Sequence, residues 1–137
     1  MKKILLVLVL TSFTFNAFSC SCSGLQGRAL EALKNADTVF LGVPTEDSVA
    51  TGSEGRFGTS EMKTSFKVVK NFKNAKKEMT VYSSKGTGAN CGVHFEALEG
   101  TILIYGYEYE GKITTNSCSL VAIDYGKYSA KILLELL

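Results

Sequence analysis

The most distinctive chemistry in this 137-residue chain belongs to four cysteines, Cys20, Cys22, Cys91 and Cys118, and a single histidine, His94. Cys91 and His94 stand three residues apart, the makings of a nucleophile and base pair, but that chemistry needs a thiolate, which a disulfide removes. His94 is instead read as a half-buried strand residue. Four thiolates would suit a tetrahedral zinc, yet a C-x-C pair with two distant single cysteines lacks the paired spacing of structural zinc sites. Asp37, Glu46, Asp47, Glu96, Glu99 and Asp124 are scattered, and no spacing sets two of them across a cleft for acid and base work. Gly86, Gly88 and Gly92 follow a predicted strand, but the third interval is wrong for a phosphate loop and no helix pattern opens after it. The expectation is therefore no enzyme, no cofactor, no metal of its own and no small-molecule substrate.

The start of the chain decides how the cysteines are used. Lys2 and Lys3 precede an apolar run from Ile4 to Leu10 that continues through Phe13 and Phe15, and Ala17 and Ser19 put small residues before Cys20. This is the layout of a secretory signal peptide cleaved after Ser19, with an apolar core shorter than the roughly 20 residues of a membrane span. The expected organisation is a signal peptide over residues 1–19 and one domain over residues 20–137, in a secreted or periplasmic protein. Lipoprotein anchoring through Cys20 is the alternative, opposed by bulky Phe18 and by the lack of leucine at position 17. Export retains all four cysteines, and an even count in an oxidising compartment points to two disulfides. A bridge between Cys20 and Cys22 would close a strained small ring, so each is expected to reach either Cys91 or Cys118. Such long loops are worth about 4 kcal/mol each in the chain-entropy treatment. Loss of Lys2 and Lys3 lowers the basic count from 15 to 13, equal to the 13 acidic residues, and a near-zero net charge gives no electrostatic footing for nucleic acid.

The elements that must position these residues follow from periodicity. Leu25, Ala29, Leu30 and Leu33 share one helical face, ending near Lys34 and Asn35. Ala36 to Val43 reads as a strand stopped by Pro44. Thr45 to Ser60, with Gly52, Gly55 and Gly58 among polar residues, reads as a long exposed loop or the tip of a hairpin. Met62, Thr64, Phe66 and Val68 alternate with Lys63, Ser65, Lys67 and Val69, as in a half-buried strand. Lys70, Lys73, Lys76 and Lys77 are expected to form a solvated basic turn before a short strand, Glu78 to Ser83. Thr101 to Tyr109, Glu110-Gly111 and Lys112 to Thr115 give a hairpin signal. Tyr128, Ile132, Leu133, Leu136 and Leu137 predict a closing helix over Tyr125 to Leu137. Five short strands with a helix at each end fit a mainly β Greek-key barrel better than a βαβ layer, because no helix separates the middle strands.

The same residues resemble a known family. Cys20-Ser21-Cys22 at the expected mature terminus, Ala36-Asp37-Thr38-Val39-Phe40-Leu41-Gly42, Phe66-Lys67-Val68, Cys91-Gly92 with Phe95, Tyr105, and Thr115 to Ser119 around Cys118 are similar to the netrin-like domain of tissue inhibitors of metalloproteinases. The resemblance runs over nearly the whole mature chain and implies a five-stranded OB-fold barrel with helices packed against it. It also implies the pairing of Cys20 with Cys91 and of Cys22 with Cys118.

In such inhibitors the free α-amino group and carbonyl of the first cysteine chelate the catalytic zinc of the protease. By resemblance, Cys20 would chelate the target's zinc, and Ser21 and Cys22, flanked by Ala89 and Asn90, would contact the protease pocket. A catalytic zinc keeps an open position that an amine and a carbonyl oxygen can take, and an α-amino pKa of about 7.7 to 8.0 leaves part of it unprotonated near neutrality. The chain departs from the family in having no third disulfide and no second domain, and its Thr45 to Ser60 segment shows no match. The expected partner is a zinc metalloprotease or another extracellular or envelope protein. The alternative is a netrin-like protein-interaction module without protease inhibition, since fold alone does not give function.

Overall fold

The computed structural model describes residues 29–55, 58–86, 91–97 and 100–122. The predicted signal peptide, the Cys20-Ser21-Cys22 segment, Ala89, Asn90 and the predicted helix over Tyr125 to Leu137 lie outside the described residues. The helical face around Ala29 to Leu33 forms α1 (Ala29–Asn35). The strands are β1 (Thr38–Pro44), β2 (Val49–Glu54), β3 (Ser60–Lys73), β4 (Glu78–Ser84), β5 (Ile102–Tyr109), β6 (Lys112–Thr114) and β7 (Leu120–Ala122), with a single 3-10 turn at Ser117–Ser119 before β7.

Five of these strands close a β-barrel in the ring order β1, β3, β4, β6, β5 and back to β1. All contacts round the ring are antiparallel except the one between β4 and β6, which is parallel and pairs Tyr82 with Thr114. Strand β5 returns to lie beside β1, giving the order β5-β1-β3-β4 of a Greek key. The barrel strands are the five that the sequence predicts, with ends shifted by one or two residues except at β3, which runs four residues past Val69 to Lys73. The other two strands add to its edges. Strand β2 pairs β3 and makes the Thr45 to Ser60 stretch a true hairpin arm, almost wholly exposed. Strand β7 pairs β5.

The 14-residue β3 spans two neighbours. Its first half pairs β4 from Glu61↔Ser84 to Lys67↔Glu78, and its second half pairs β1 from Pro44↔Phe66 to Val39↔Lys73. Phe66 is paired on both sides, where the strand passes from one partner to the other. Beyond it, two irregularities in the β1 pairing, around Val69 and Phe72, interrupt the ladder as bulges do. One leaves Val69 without an opposite residue, and it stands 62 % exposed.

Two apolar clusters follow from the strand alternation. Inside the barrel lie Phe40, Phe66, Val81, Phe95, Ile102 and Ile104. The other face of β1 and β5 buries Val39, Leu103 and Tyr105 against Ala32 and Ala36 of the α1 region. These strands are thus covered on both sides. The helix is fastened at its C-terminal end by Lys73, whose Nζ donates to the carbonyls of Leu33 (3.1 Å), Lys34 (3.1 Å) and Ala36. An ammonium at this end satisfies orphan carbonyls and opposes the helix dipole. The reading of Lys73 as part of a solvated turn is corrected: its strand side chain turns back to cap a helix about 40 residues earlier. The β5–β6 turn places Glu110 at φ 50° and Gly111 at φ 74°, the two positive values of the tight turn that matches strand twist in hairpins.

Phe66 is 1 % exposed and meets Phe40 and Phe95 edge to face, with ring centroids 5.9 Å and 5.0 Å apart. Phe66→Ala should lower the free energy of unfolding by about 3 to 5 kcal/mol, read from urea denaturation. A loss below about 1 kcal/mol would show that the three rings do not act as one core.

Candidate functional site

Of the cysteines expected to anchor the amino terminus, Cys91 and Cys118 are described, and the structure brings their segments together. The amide of Ser117 donates to the carbonyl of Cys91 at 2.9 Å. Both cysteines are half-buried and neither is free. Asn116 shapes the Cys118 side: its Oδ1 accepts from the amides of Cys118 (2.9 Å) and Ser119 (3.2 Å) and from the Ser119 hydroxyl (3.2 Å), an Asx cap on the 3-10 turn.

The Cys91 side is held from the core outward. Phe95 inserts its ring among the barrel phenylalanines, and its amide donates to Ser48 Oγ (2.8 Å) while its carbonyl accepts from the Ser48 amide (2.8 Å). Ser48 Oγ also bonds Thr64 Oγ1 at 2.7 Å, so this buried hydroxyl pair is satisfied. Val93 is fixed to β4 through its amide to Ser84 O (3.1 Å) and through Ser83 Oγ to its carbonyl (3.0 Å). Gly92 is what permits this approach. A Cβ there would lie 2.5 Å from Ser84 O and 2.7 Å from the Gly86 backbone. Gly86 and Gly92 thus serve backbone packing. Cys91 itself sits at φ 54°, a left-handed conformation uncommon outside glycine.

The other candidate residues separate. His94 is exposed and lies outside any strand, which corrects the half-buried strand expectation. Residues 91–97 run as an irregular segment pinned by Ser48, so alternation does not apply to them. Asp37, Glu46 and Asp47 are exposed residues spent on the fold: they accept from the Glu108 amide (2.7 Å), the Ser65 hydroxyl (2.7 Å) and the Ala97 amide (2.6 Å). Glu99 and Asp124 lie outside the described residues. No group of three or more metal-ligating side chains occurs among the described residues.

A second feature has no counterpart in the sequence reading. Beside the Cys118 turn, an open cleft of about 310 Å³ is lined by Tyr82, Tyr107, Tyr109, Glu61, Lys112 and Asn116, with Glu54 and Glu110 also on its wall. The strand register builds it: Tyr107 pairs with Thr114, and Thr114 with Tyr82, so one row crosses three strands. Across it Lys112 Nζ binds both oxygens of Glu61 at 2.9 Å and lies 4.9 Å from the centre of the Tyr82 ring. Thr51 Oγ1 donates to the same carboxylate at 2.8 Å. The Lys112 hydrogen bond, aided by that of Thr51 and opposed by burial, holds the Glu61 carboxyl below its ordinary range. Burial pushes the Tyr107 hydroxyl up, with its side-chain hydrogen bond to Ser119 opposing and Asp37 adding to the rise. The signal for the tyrosines was present as Tyr105, Tyr107 and Tyr109 at every second position of one strand, but Glu61 and Lys112 are 51 residues apart and nothing local joins them.

No protein-family model and no curated protein matches the chain. No helix among the described residues is long and apolar enough to cross a membrane.

Gly92→Ala should destabilise the chain by about 1 to 3 kcal/mol, as overpacking does, and should speed hydrogen exchange at the Ser117 amide, which bonds the displaced carbonyl. Unchanged exchange there would separate the two cysteine segments. Glu61, with a folded pKa below the unfolded one, adds stability that is complete above its ordinary value near 4.5 and is lost as pH falls through the folded value. Glu61→Gln should therefore flatten the acid limb of the stability profile below about pH 4.5 and leave the slope above it unchanged, as followed by urea unfolding at stepped pH.

Proposed function

We propose that this chain is an exported inhibitor-like module whose mature amino terminus, Cys20-Ser21-Cys22, is presented to the zinc of a metalloprotease. The observation that carries the reading is the 2.9 Å hydrogen bond from Ser117 to the Cys91 carbonyl, which puts the segments of both later cysteines side by side. A C-x-C terminus spans only a few ångströms between its two sulfurs, so it can be tied at both cysteines only to a pair of anchors that already neighbour each other. Under this reading Cys20 pairs with Cys91 and Cys22 with Cys118. The two bridges clamp the terminal amine and carbonyl of Cys20 and reduce the ordering cost of entering a cleft. The ring order of the barrel, with its parallel contact between β4 and β6, is consistent with an OB-fold, which supports the resemblance on which the chelation role rests. Ser21, Ala89 and Asn90 would meet the protease pocket beside the zinc.

The reading requires a free amine on Cys20. Intact mass without reduction should show a chain that begins at unmodified Cys20 and lacks four hydrogens, two for each disulfide. Adding one alanine before Cys20 should then abolish inhibition of zinc metalloproteases, because a displaced amine cannot take the open metal position, while the unfolding midpoint stays unchanged. Inhibition that survives the extension, or an acylated Cys20, would overturn the proposal and leave a protein-binding module of the netrin-like kind.

A further inference from the structure

We propose that the lysine-rich end of the β3–β4 hairpin docks on the surface of an anionic lipid bilayer, with Lys67, Lys70, Lys76 and Lys77 meeting the headgroups and Val69 entering the interface. This goes beyond the inhibitor reading and does not depend on it, since no residue of 20–22 takes part. It also gives a role to lysines that the sequence places in a merely solvated turn.

A near-zero net charge conceals a segregation of charge along the chain. Residues 62–77 hold six lysines and no acidic residue. Lys63 stands toward the other end of β3, opposite Tyr82, and Lys73 is engaged by the carbonyls of the α1 region. The strand register gathers the other four at one end of the barrel. Lys67 pairs with Glu78 across the hairpin and with Val43 on β1, and Lys70 pairs with Leu41. The Val68 amide donates to the Lys77 carbonyl at 2.9 Å, which returns Lys76 and Lys77 to the neighbourhood of Val68 and Val69.

These ammonium groups are open to a partner. All four residues are exposed, and none of their side chains makes a hydrogen bond or ion pair among the described residues. Lys70 lies 5.5 Å from the centre of the Phe72 ring, a contact that leaves its N–H donors unbonded. Two acids lie near this end. Glu78 stands opposite Lys67 without an ion pair among the described residues, and the Asp37 carboxylate accepts from the Glu108 amide.

The kind of surface follows from what accompanies the charge. Val69 is the most exposed large apolar side chain among the described residues, at 62 %, and an irregularity of the β1 pairing leaves it without an opposite residue. An apolar side chain set among unpaired ammonium groups matches a surface that is charged outside and apolar just beneath. The cations are all lysines, point charges without the planar fork by which arginine grips a single phosphate or sulfate. Such an array answers to a diffuse negative potential. Phe72, the one aromatic residue of 67–77, is half-buried against the cluster of Val39, Leu103 and Tyr105, so no ring stands out for nucleic-acid bases to stack on.

The exported chain is co-sedimented with vesicles of phosphatidylcholine containing phosphatidylglycerol, and with vesicles of phosphatidylcholine alone. The expected result is binding to the first and not to the second, falling at least about tenfold from low to high salt as the lysines are screened. Lys76→Gln together with Lys77→Gln should weaken binding about thirtyfold, from about fivefold for each lysine, and Glu78→Gln should strengthen it about fivefold. Val69→Ser should weaken binding severalfold without changing its dependence on salt. These side chains are exposed, so their replacement leaves the barrel folded, and the unfolding midpoint checks this. Absence of binding to the anionic vesicles, equal binding to the neutral ones, binding indifferent to the lysine pair, or binding to soluble heparin but to neither vesicle would each overturn the assignment.

Discussion

The packing of Phe66 between Phe40 and Phe95 is the contact from which the rest of the molecule follows. Phe66 and Lys67 are the residues of β3 paired on both sides, Phe66 with Pro44 and Met79, so they mark where the barrel wall turns from one neighbour to the next. A small barrel has room for few side chains, and three phenyl rings set edge to face share this one with Val81, Ile102 and Ile104. One of the rings is not from a strand. Phe95 comes from the irregular segment after β4, and its insertion draws that segment, with Cys91 at its start, against the wall. The position of a cysteine at the rim is thus set by an aromatic contact four residues away.

Polar bonds make that placement specific. Hydrophobic burial alone would tolerate several depths and rotations of Phe95, but the two reciprocal bonds with Ser48 allow one register. Ser48 and Thr64 are buried hydroxyls that would each be costly if unpaired, and they pair with each other. The same logic holds at the other end of the molecule. The short α1 is only seven residues, too short to persist alone in water. It persists because Ala32 and Ala36 pack on β1 and β5 and because Lys73 takes up its last carbonyls.

What could be read in the sequence divides along the range of the interactions. The five barrel strands were legible because their signals are local: Met62, Thr64 and Phe66 alternate with polar residues, and Ile102 to Tyr105 form an apolar run before a turn. The Glu110-Gly111 turn was legible because its conformation is local. Strand β2 was hidden, since nearly every side chain on it is exposed and it owes its form to pairing with β3. Lys73 was misread for the same reason: its partners lie about 40 residues away, and a lysine among lysines carries no mark of a cap. His94 was misread by extending strand alternation into a segment whose path is dictated by Ser48. The Glu61 and Lys112 pair exists only once β3 and β6 are closed into one barrel. The adjacency of the Cys91 and Cys118 segments was not legible, because it depends on Asn116 and Gly92 together.

The cysteine corner and the cleft are joined through one side chain. Asn116 lines the cleft, and its amide oxygen holds the turn that carries Cys118. Ser119, in the same turn, bonds Asn116 through its amide and its hydroxyl. Any constraint placed on Cys118 is therefore passed by short, directional bonds to a wall of the cleft. Covalent closure at the corner would reduce the freedom of both surfaces at once. Two surfaces that share a rigid turn are ordered by the same bonds.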